Sequence, residues 1–149
     1  MLLLQEINMA FDQERTGTWF AYGLEGSNPL DAGSAPRFAD RLAARFPKIA
    51  ATIEEEDFGV ASLEVEALKQ ATRNAIHRQD WPAVSEHLAF VDEVLQIPDP
   101  ELHEAIGISY LTNLFYGETS QDFAMARTLL PKRLAAALEI MERHYEELR

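Results

Sequence analysis

The sequence predicts a mainly α-helical protein: a compact bundle or short solenoid-like array of six to seven helices, with a possible N-terminal β-hairpin. From Pro36 onward, apolar residues recur at helical spacing, and prolines and capping residues mark helix starts. The 149 residues, 47% of them apolar, suit one domain with a substantial core. We therefore expect a single domain over 1–149, with 1–35 as an irregular or β segment and 36–149 as the helical core.

The N-terminal segment has two apolar stretches, Leu2 to Phe11 and Thr18 to Leu24, separated by a polar linker. The second stretch has the β-branched and aromatic content typical of a short strand. A hairpin is the favoured interpretation, and an N-terminal helix for the first stretch is the alternative. Glu25 to Ala35 is rich in Gly, Ser, Asn and Pro, which predicts a loop.

The first helical run begins near Pro36, and Pro47 is expected to break it into two short helices. The second of these is predicted to end in the acidic run Glu54 to Asp57. Acids at a helix C-terminus oppose the macrodipole, which hints at a use for this charge. After Gly59, a longer helix is predicted over Val60 to Gln79.

Two capping signals organise the middle of the chain. Asp80-Trp81-Pro82 predicts a helix start, and the helix that follows places His87 on an apolar stripe. Asp99 and Pro100 predict the N-cap and first position of the next helix. The segments 60–79 and 82–96 resemble one helix-turn-helix unit of an α-solenoid, but no second copy is present at a repeat period.

The last third of the chain predicts three more helices. Leu102 to Tyr116 is apolar on every side, so we expect it to be the buried central helix. A short helix is predicted around Asp122 to Leu130, and Pro131 starts a final amphipathic helix.

No residue pattern predicts an enzyme. The chain lacks cysteine, a nucleophile elbow, a phosphate-binding loop, H-E-x-x-H and an EF-hand loop. His87 is interpreted as a core histidine. His103 beside Glu101 and Glu104 could suggest a metal site, but a polar first helical turn is the favoured interpretation. We therefore expect no catalytic residue, no metal and no cofactor.

The net charge of −12 and a pI near 4.7 disfavour nucleic acid and anionic membranes as partners. The N-terminus lacks a signal-peptide pattern, and no window is apolar enough to span a bilayer, so we expect a cytoplasmic protein. The acidity permits a basic protein partner, with simple solubility as the alternative explanation.

Between Gln79 and Ala126 there is no Lys or Arg, while nine acids carry −9 of the net charge. One sign of charge over successive helices predicts an interaction surface. Glu86 and Glu93 are its firmest members, because they fall opposite the apolar stripe of their helix. The predicted partner-contacting residues are Glu86, Asp92, Glu93, Asp99, Glu101, Glu104, Glu118 and Asp122.

Three features of the run from Phe38 to Leu148 form a pattern: Arg45-Phe46-Pro47 before an acid-rich segment, the buried helix Glu104 to Leu114, and the turn Leu129-Leu130-Pro131. With this pattern the run resembles a family of small acidic bacterial helical proteins that are largely uncharacterised. The first 35 residues depart from the pattern. Some members of that family are presumed immunity proteins of polymorphic toxin systems, and the family offers no catalytic residue to transfer.

The leading hypothesis is therefore a non-enzymatic immunity protein that neutralises a cognate toxin, or another basic protein, through its acidic surface. The alternative is an α-solenoid-type scaffold that binds a peptide or a regulatory protein. A third hypothesis is an enzyme or metal protein using His87 or His103, which no motif supports. The oligomeric state does not follow from the sequence.

Overall fold

The computed structural model describes residues 37–148, and every regular element in that range is helical. The predicted all-α fold is confirmed for these residues, and the hairpin predicted before them lies outside the described range. Seven helical stretches follow one another along the chain. They are α1 (Phe38–Arg45), α2 (Pro47–Ala50), α3 (Ala61–His77), α4 (Trp81–Val94), α5 (residues 100–115), α6 (Gln121–Thr128) and α7 (Lys132–Glu147).

Pro47 divides the first helical run as predicted, with only Phe46 between α1 and α2. The prediction that the second helix ends in the acidic run was wrong, because α2 ends at Ala50. The acids form a separate short 3₁₀-helix, Glu55–Asp57, and all three of its acidic side chains lie in its first turn. The acids therefore do not lie at the C-terminus of α2, and the electrostatic penalty expected there does not arise.

Helix α3 is the hub of the fold, since it packs against α1, α2, α4, α5 and α6. Gly59 precedes it with φ of 92°, and its backbone N–H donates to the buried carboxylate of Glu64 at 2.9 Å. At its other end Gln79 takes φ of 57°, which turns the chain into α4. Asp80 then caps α4 by accepting from the N–H of Ala83 at 3.3 Å, as predicted.

Helix α5 is built of three consecutive pieces, Pro100–Ala105, the π-helical Ile106–Thr112 and Asn113–Phe115. Asp99 caps it by accepting from Leu102 N–H at 3.2 Å, and Pro100 occupies the first position, as predicted. The π-helical piece packs against α3 and α7, which confirms the expected buried helix. The π-helical geometry itself was not predicted.

A single hydrophobic core lies between α3, α4, α5 and α7 and extends to α1 and α6. Its members are almost fully shielded from solvent. The largest fully buried side chains are Tyr110, Phe115, Phe123, Leu42, Leu68, Ile76, Leu88, Leu95, Ile106 and Leu111. Across residues 37–148 no helix has the length and apolarity that a membrane span requires.

Candidate functional site: an acidic groove beside the π-helix

Three of the eight predicted contact residues are paired with arginines from outside the Lys- and Arg-free stretch. The arginines belong to α1, α3 and α7, and folding brings them against acids of α4 and of the α5–α6 loop. The charge that is concentrated along the chain is therefore partly neutralised in space. The pairs are Glu93 with Arg45 at 2.7 Å, Asp92 with Arg133 at 3.4 Å and Glu118 with Arg73 at 3.1 Å.

Two further acids are held by neutral donors. Asp99 accepts from the backbone at the start of α5, and the carboxylate of Asp122 accepts from the side-chain amide of Gln79 at 3.0 Å. The remaining three, Glu86, Glu101 and Glu104, are exposed, and no ion pair joins them to any other residue in the range 37–148. Of the predicted set, these three are exposed and neither ion-paired nor hydrogen-bonded within that range, so a partner can reach their carboxylates directly.

Glu101 and Glu104 border a groove of about 330 Å³ between the start of α3 and one face of α5, called the acidic groove below. They stand one helical turn apart, so both carboxylates lie on the same wall. The groove carries two acids, two serine hydroxyls and a largely apolar remainder. Its lining residues are Val60, Ala61, Ser62, Glu101, Glu104, Ala105, Ile108 and Ser109.

Three large apolar side chains are exposed around the start of α3, and one of them, Val60, lines this groove. Phe58 is 52% exposed, and Val60 and Leu63 are each 43% exposed. All three lie within six residues at the start of α3, directly after the acidic 3₁₀-helix. Exposed apolar side chains that cluster beside polar groups are typical of protein–protein contact sites.

The π-helical piece of α5 supplies two of the groove residues, Ile108 and Ser109. Thr112 stabilises the wide turn by donating its hydroxyl to the carbonyl of Gly107 at 2.9 Å. π-Helical turns are rare and occur frequently at functional sites. The groove therefore coincides with the one local departure from α-helical geometry within α5.

Behind the groove, a buried polar network joins α3, α4 and α5. The hydroxyl of Thr72 lies 2.8 Å from that of Tyr110, 3.0 Å from Nδ1 of His87 and 3.0 Å from the Leu68 carbonyl. One arrangement satisfies all of these groups, with Thr72 donating to Leu68 and accepting from Tyr110 and from His87 Nδ1–H. Sequence reasoning correctly placed His87 and the helix that carries Tyr110 in the core, but it did not predict Thr72 as their shared polar partner.

Burial shifts both titratable members of this network toward their neutral forms. Burial lowers the pKa of His87 below 6.5, opposed by the nearby charges of Glu86 and Asp80. Burial also raises the pKa of Tyr110, while its hydrogen bond to Thr72 acts in the opposite direction. Tyr110 is fully enclosed, so this network supports packing and offers no surface to a substrate.

His103 departs from the sequence expectation. Its side chain is 1% exposed, and its Nε2 lies 2.8 Å from the carbonyl of Ile97. The burial of His103 was not predicted, whereas Glu101 and Glu104 are exposed at the start of α5, as expected of a polar helix start. Across the described part of the chain, no group of three or more His, Asp or Glu residues is placed to hold a metal.

Glu93 does not line the acidic groove and instead lines a second groove, of about 340 Å³. This second groove lies between α1 and α4, and its lining includes Arg41, Arg45, Phe90, Glu93 and Val94. The guanidinium of Arg45 lies 5.7 Å from the centre of the Phe90 ring and also pairs with Glu93. Glu93 is exposed, as predicted, but a local cation compensates its charge.

The described fold is that of a small all-α domain. Its sequence matches, over residues 39–146, the model of a family described as a domain of unknown function, DUF7674. The chain belongs to this family, whose uncharacterised status agrees with the resemblance found in the sequence. No curated protein and no solved structure matches the chain.

Proposed function

We propose that this protein is a non-enzymatic binding protein, and most specifically an immunity protein that neutralises a cognate bacterial toxin. The observation that carries the proposal is the groove between α3 and α5. There Glu101 and Glu104 are exposed beside apolar side chains, and neither forms an ion pair with another residue of 37–148. Such a surface favours a partner that presents basic groups.

The net charge of −12 supports the same partner chemistry. Many toxin domains act on nucleic acids, nucleotides or other anionic substrates, and therefore present basic clefts. An acidic protein is steered to such a cleft by long-range attraction, which raises the association rate. Docking there would block access of the anionic substrate.

The chemistry of the groove favours binding over catalysis. Within residues 37–148, its polar side chains are two carboxylates and two hydroxyls, and no histidine lines it. The two groups with shifted pKa values, His87 and Tyr110, belong to the buried network on the inner side of α5. They are enclosed by packing and are not placed to act on a bound molecule.

A second candidate function is a helical scaffold that binds a peptide or a regulatory protein. The exposure of Phe58, Val60 and Leu63 favours it, because exposed apolar side chains are available to pack against a partner. Binding through such contacts persists when salt screens the charges. The two candidates therefore differ in the salt dependence of binding and in the effect of the partner on cell growth.

The test is capture by the tagged full chain from lysate of its native host, at about 50 mM and about 500 mM NaCl. We expect one basic protein whose recovery falls with salt, and falls roughly fivefold or more with Glu101→Gln/Glu104→Gln. Glu139→Gln/Glu147→Gln, the same charge change on exposed positions of α7, is the matched control.

The captured protein is then expressed alone and together with this chain. If this chain is an immunity protein, the partner expressed alone should inhibit growth, and co-expression of this chain should restore growth. A partner without effect on growth would favour the scaffold, and recovery of no specific protein would contradict both candidates.

A further inference from the structure

Resting on the proposed binding function, we infer that the acidic groove receives one extended partner segment in which Lys or Arg side chains flank an apolar side chain. Three features of the groove point to this chemistry. They are the two carboxylates without an ion pair in residues 37–148, the exposed apolar residue Val60 at the rim, here called the lip, and the free backbone N–H groups at the start of α3.

The carboxylates define the flanking charges. Glu101 and Glu104 are neighbours on one wall of α5, and like charges at this spacing repel one another. The acidic 3₁₀-helix Glu55–Asp57 precedes Phe58 in the chain, and the guanidinium of Arg37 lies close to Gly59, so the segment before Val60 carries charges of both signs. A cationic side chain between the two groove carboxylates relieves the repulsion and gains charge-assisted hydrogen bonds.

The apolar residues define the central side chain. Ala105 and Ile108 line the groove, and Val60 at its lip is 43% exposed. The volume of about 330 Å³ accommodates a few side chains, and a folded domain does not fit into it. One aliphatic or aromatic residue of the partner would bury Val60 and the exposed edge of Ile108.

The start of α3 favours an extended segment over a helical one. No side chain caps α3, and its backbone hydrogen bonds begin with the N–H groups of Leu63 and Glu64, both to the carbonyl of Val60. The N–H groups of Ala61 and Ser62, on the groove lining, are left as donors. An extended peptide offers carbonyl groups to them, whereas a helix uses its carbonyl groups internally.

The negative charge of the groove disfavours occupants that are themselves acidic. Residues 1–36 of this chain contain five acids and one arginine, and a second copy carries −12. Both are repelled by the two carboxylates, as are nucleic acids and anionic lipid surfaces. A basic segment of a different protein is the occupant that the groove favours.

The experiment uses a phage-displayed library of random peptides of about nine residues, selected against the immobilised full chain. We expect enriched peptides with Lys or Arg on both sides of an aliphatic or aromatic residue. Binding of an enriched peptide should weaken roughly five- to tenfold with Glu101→Gln/Glu104→Gln, and remain unchanged with Glu139→Gln/Glu147→Gln.

A second variant tests the apolar contact without risking the fold. Val60→Ala shortens a side chain that is 43% exposed and adds no capping oxygen at the N-cap of α3, so the fold and its free N–H donors should be retained. We expect peptide binding to weaken about threefold or more. Leu148→Ala is the matched control, because it shortens an apolar side chain that is 70% exposed outside the groove, and it should leave binding unchanged.

The outcomes separate this inference from the proposed function. Enriched peptides without basic residues, no enrichment at all, or binding that ignores all groove variants would overturn the inference. If whole-protein capture still depends on salt in those cases, the binding function stands and uses another surface. Groove-dependent peptides together with no captured partner would support the inference and count against the immunity function.

Discussion

The hydroxyl of Tyr110, in the π-helical part of α5, lies 2.8 Å from the hydroxyl of Thr72 in the middle of α3. The same Thr72 hydroxyl lies 3.0 Å from the ring of His87 on α4. One side chain thus joins three helices through polar contacts inside an apolar core. Buried networks of this kind add specificity to packing because an incomplete set of partners is costly.

Replacing Thr72 with valine keeps the shape of the side chain and removes the hydroxyl. Tyr110 and His87 each lose a buried partner, and we expect a cost of about 1–3 kcal/mol for each group left unpaired. Urea denaturation measures the change in the free energy of unfolding. Thr52→Val, at an exposed position, should change it by less than about 0.5 kcal/mol. Equal stability of the two variants would contradict the importance of the network.

His87 should make stability depend on pH. Burial lowers the pKa of His87 in the folded protein below the ordinary value of 6.5. As the pH drops, His87 is therefore protonated near pH 6.5 in the unfolded chain but only at lower pH in the native state. The free energy of unfolding consequently falls as the pH drops through 6.5. Denaturation between about pH 7.5 and 5.5 measures this slope. His87→Gln should flatten the slope, and an unchanged slope would assign it to other groups.

Gly117, which follows α5, takes φ of 83°, and a Cβ atom there would meet nothing within 4 Å. The cost of Gly117→Ala is therefore one of backbone conformation alone, about 1–2 kcal/mol. Gly117→Asn should cost less, because asparagine tolerates the left-handed region better. Thermal unfolding of the three proteins checks this order. An alanine variant as stable as the parent would show that the turn relaxes to another conformation.

Arg73 stabilises the end of α5 through several contacts. Its guanidinium pairs with Glu118 at 3.1 Å, donates to the carbonyl of Asn113 at 2.9 Å and lies 5.4 Å from the centre of the Phe123 ring. We expect Arg73→Met to cost about 1–2 kcal/mol, since part of this site is shielded from solvent.

Arg143 provides the control for that measurement. Its side chain is 65% exposed and lies 4.0 Å from Glu139, so Arg143→Met should cost less than about 0.5 kcal/mol in the same denaturation experiment. A similar loss in both variants would indicate a general effect of removing a positive charge from an acidic protein.

Helix starts could be predicted from sequence because capping is local chemistry. Asp80 and Asp99 each accept from a backbone N–H three residues later, and that contact needs no other part of the fold. The acidic surface was less predictable, since its compensation is tertiary. Arg45 and Arg133 lie far along the chain from Glu93 and Asp92, and only folding brings them together.

Two structural features near the groove also could not be predicted from the sequence. A helix that is apolar on all sides predicts burial but carries no information on the width of its turns, so the π-helical geometry at Ile106–Thr112 was missed. His103 is shielded because the chain folds back and places the carbonyl of Ile97 within 2.8 Å of its ring. Neither feature has a local sequence signal.

The wide turn of α5 also changes what this helix tolerates in evolution. A π-helical stretch fits more residues into each turn than an α-helix does, so losing one residue there can restore ordinary α-helical winding. The segments before and after the stretch would then keep their faces toward α3 and α7. A core helix, where length is usually fixed, thus has a position at which a single-residue deletion can be absorbed, and that deletion would reshape the groove without dismantling the bundle.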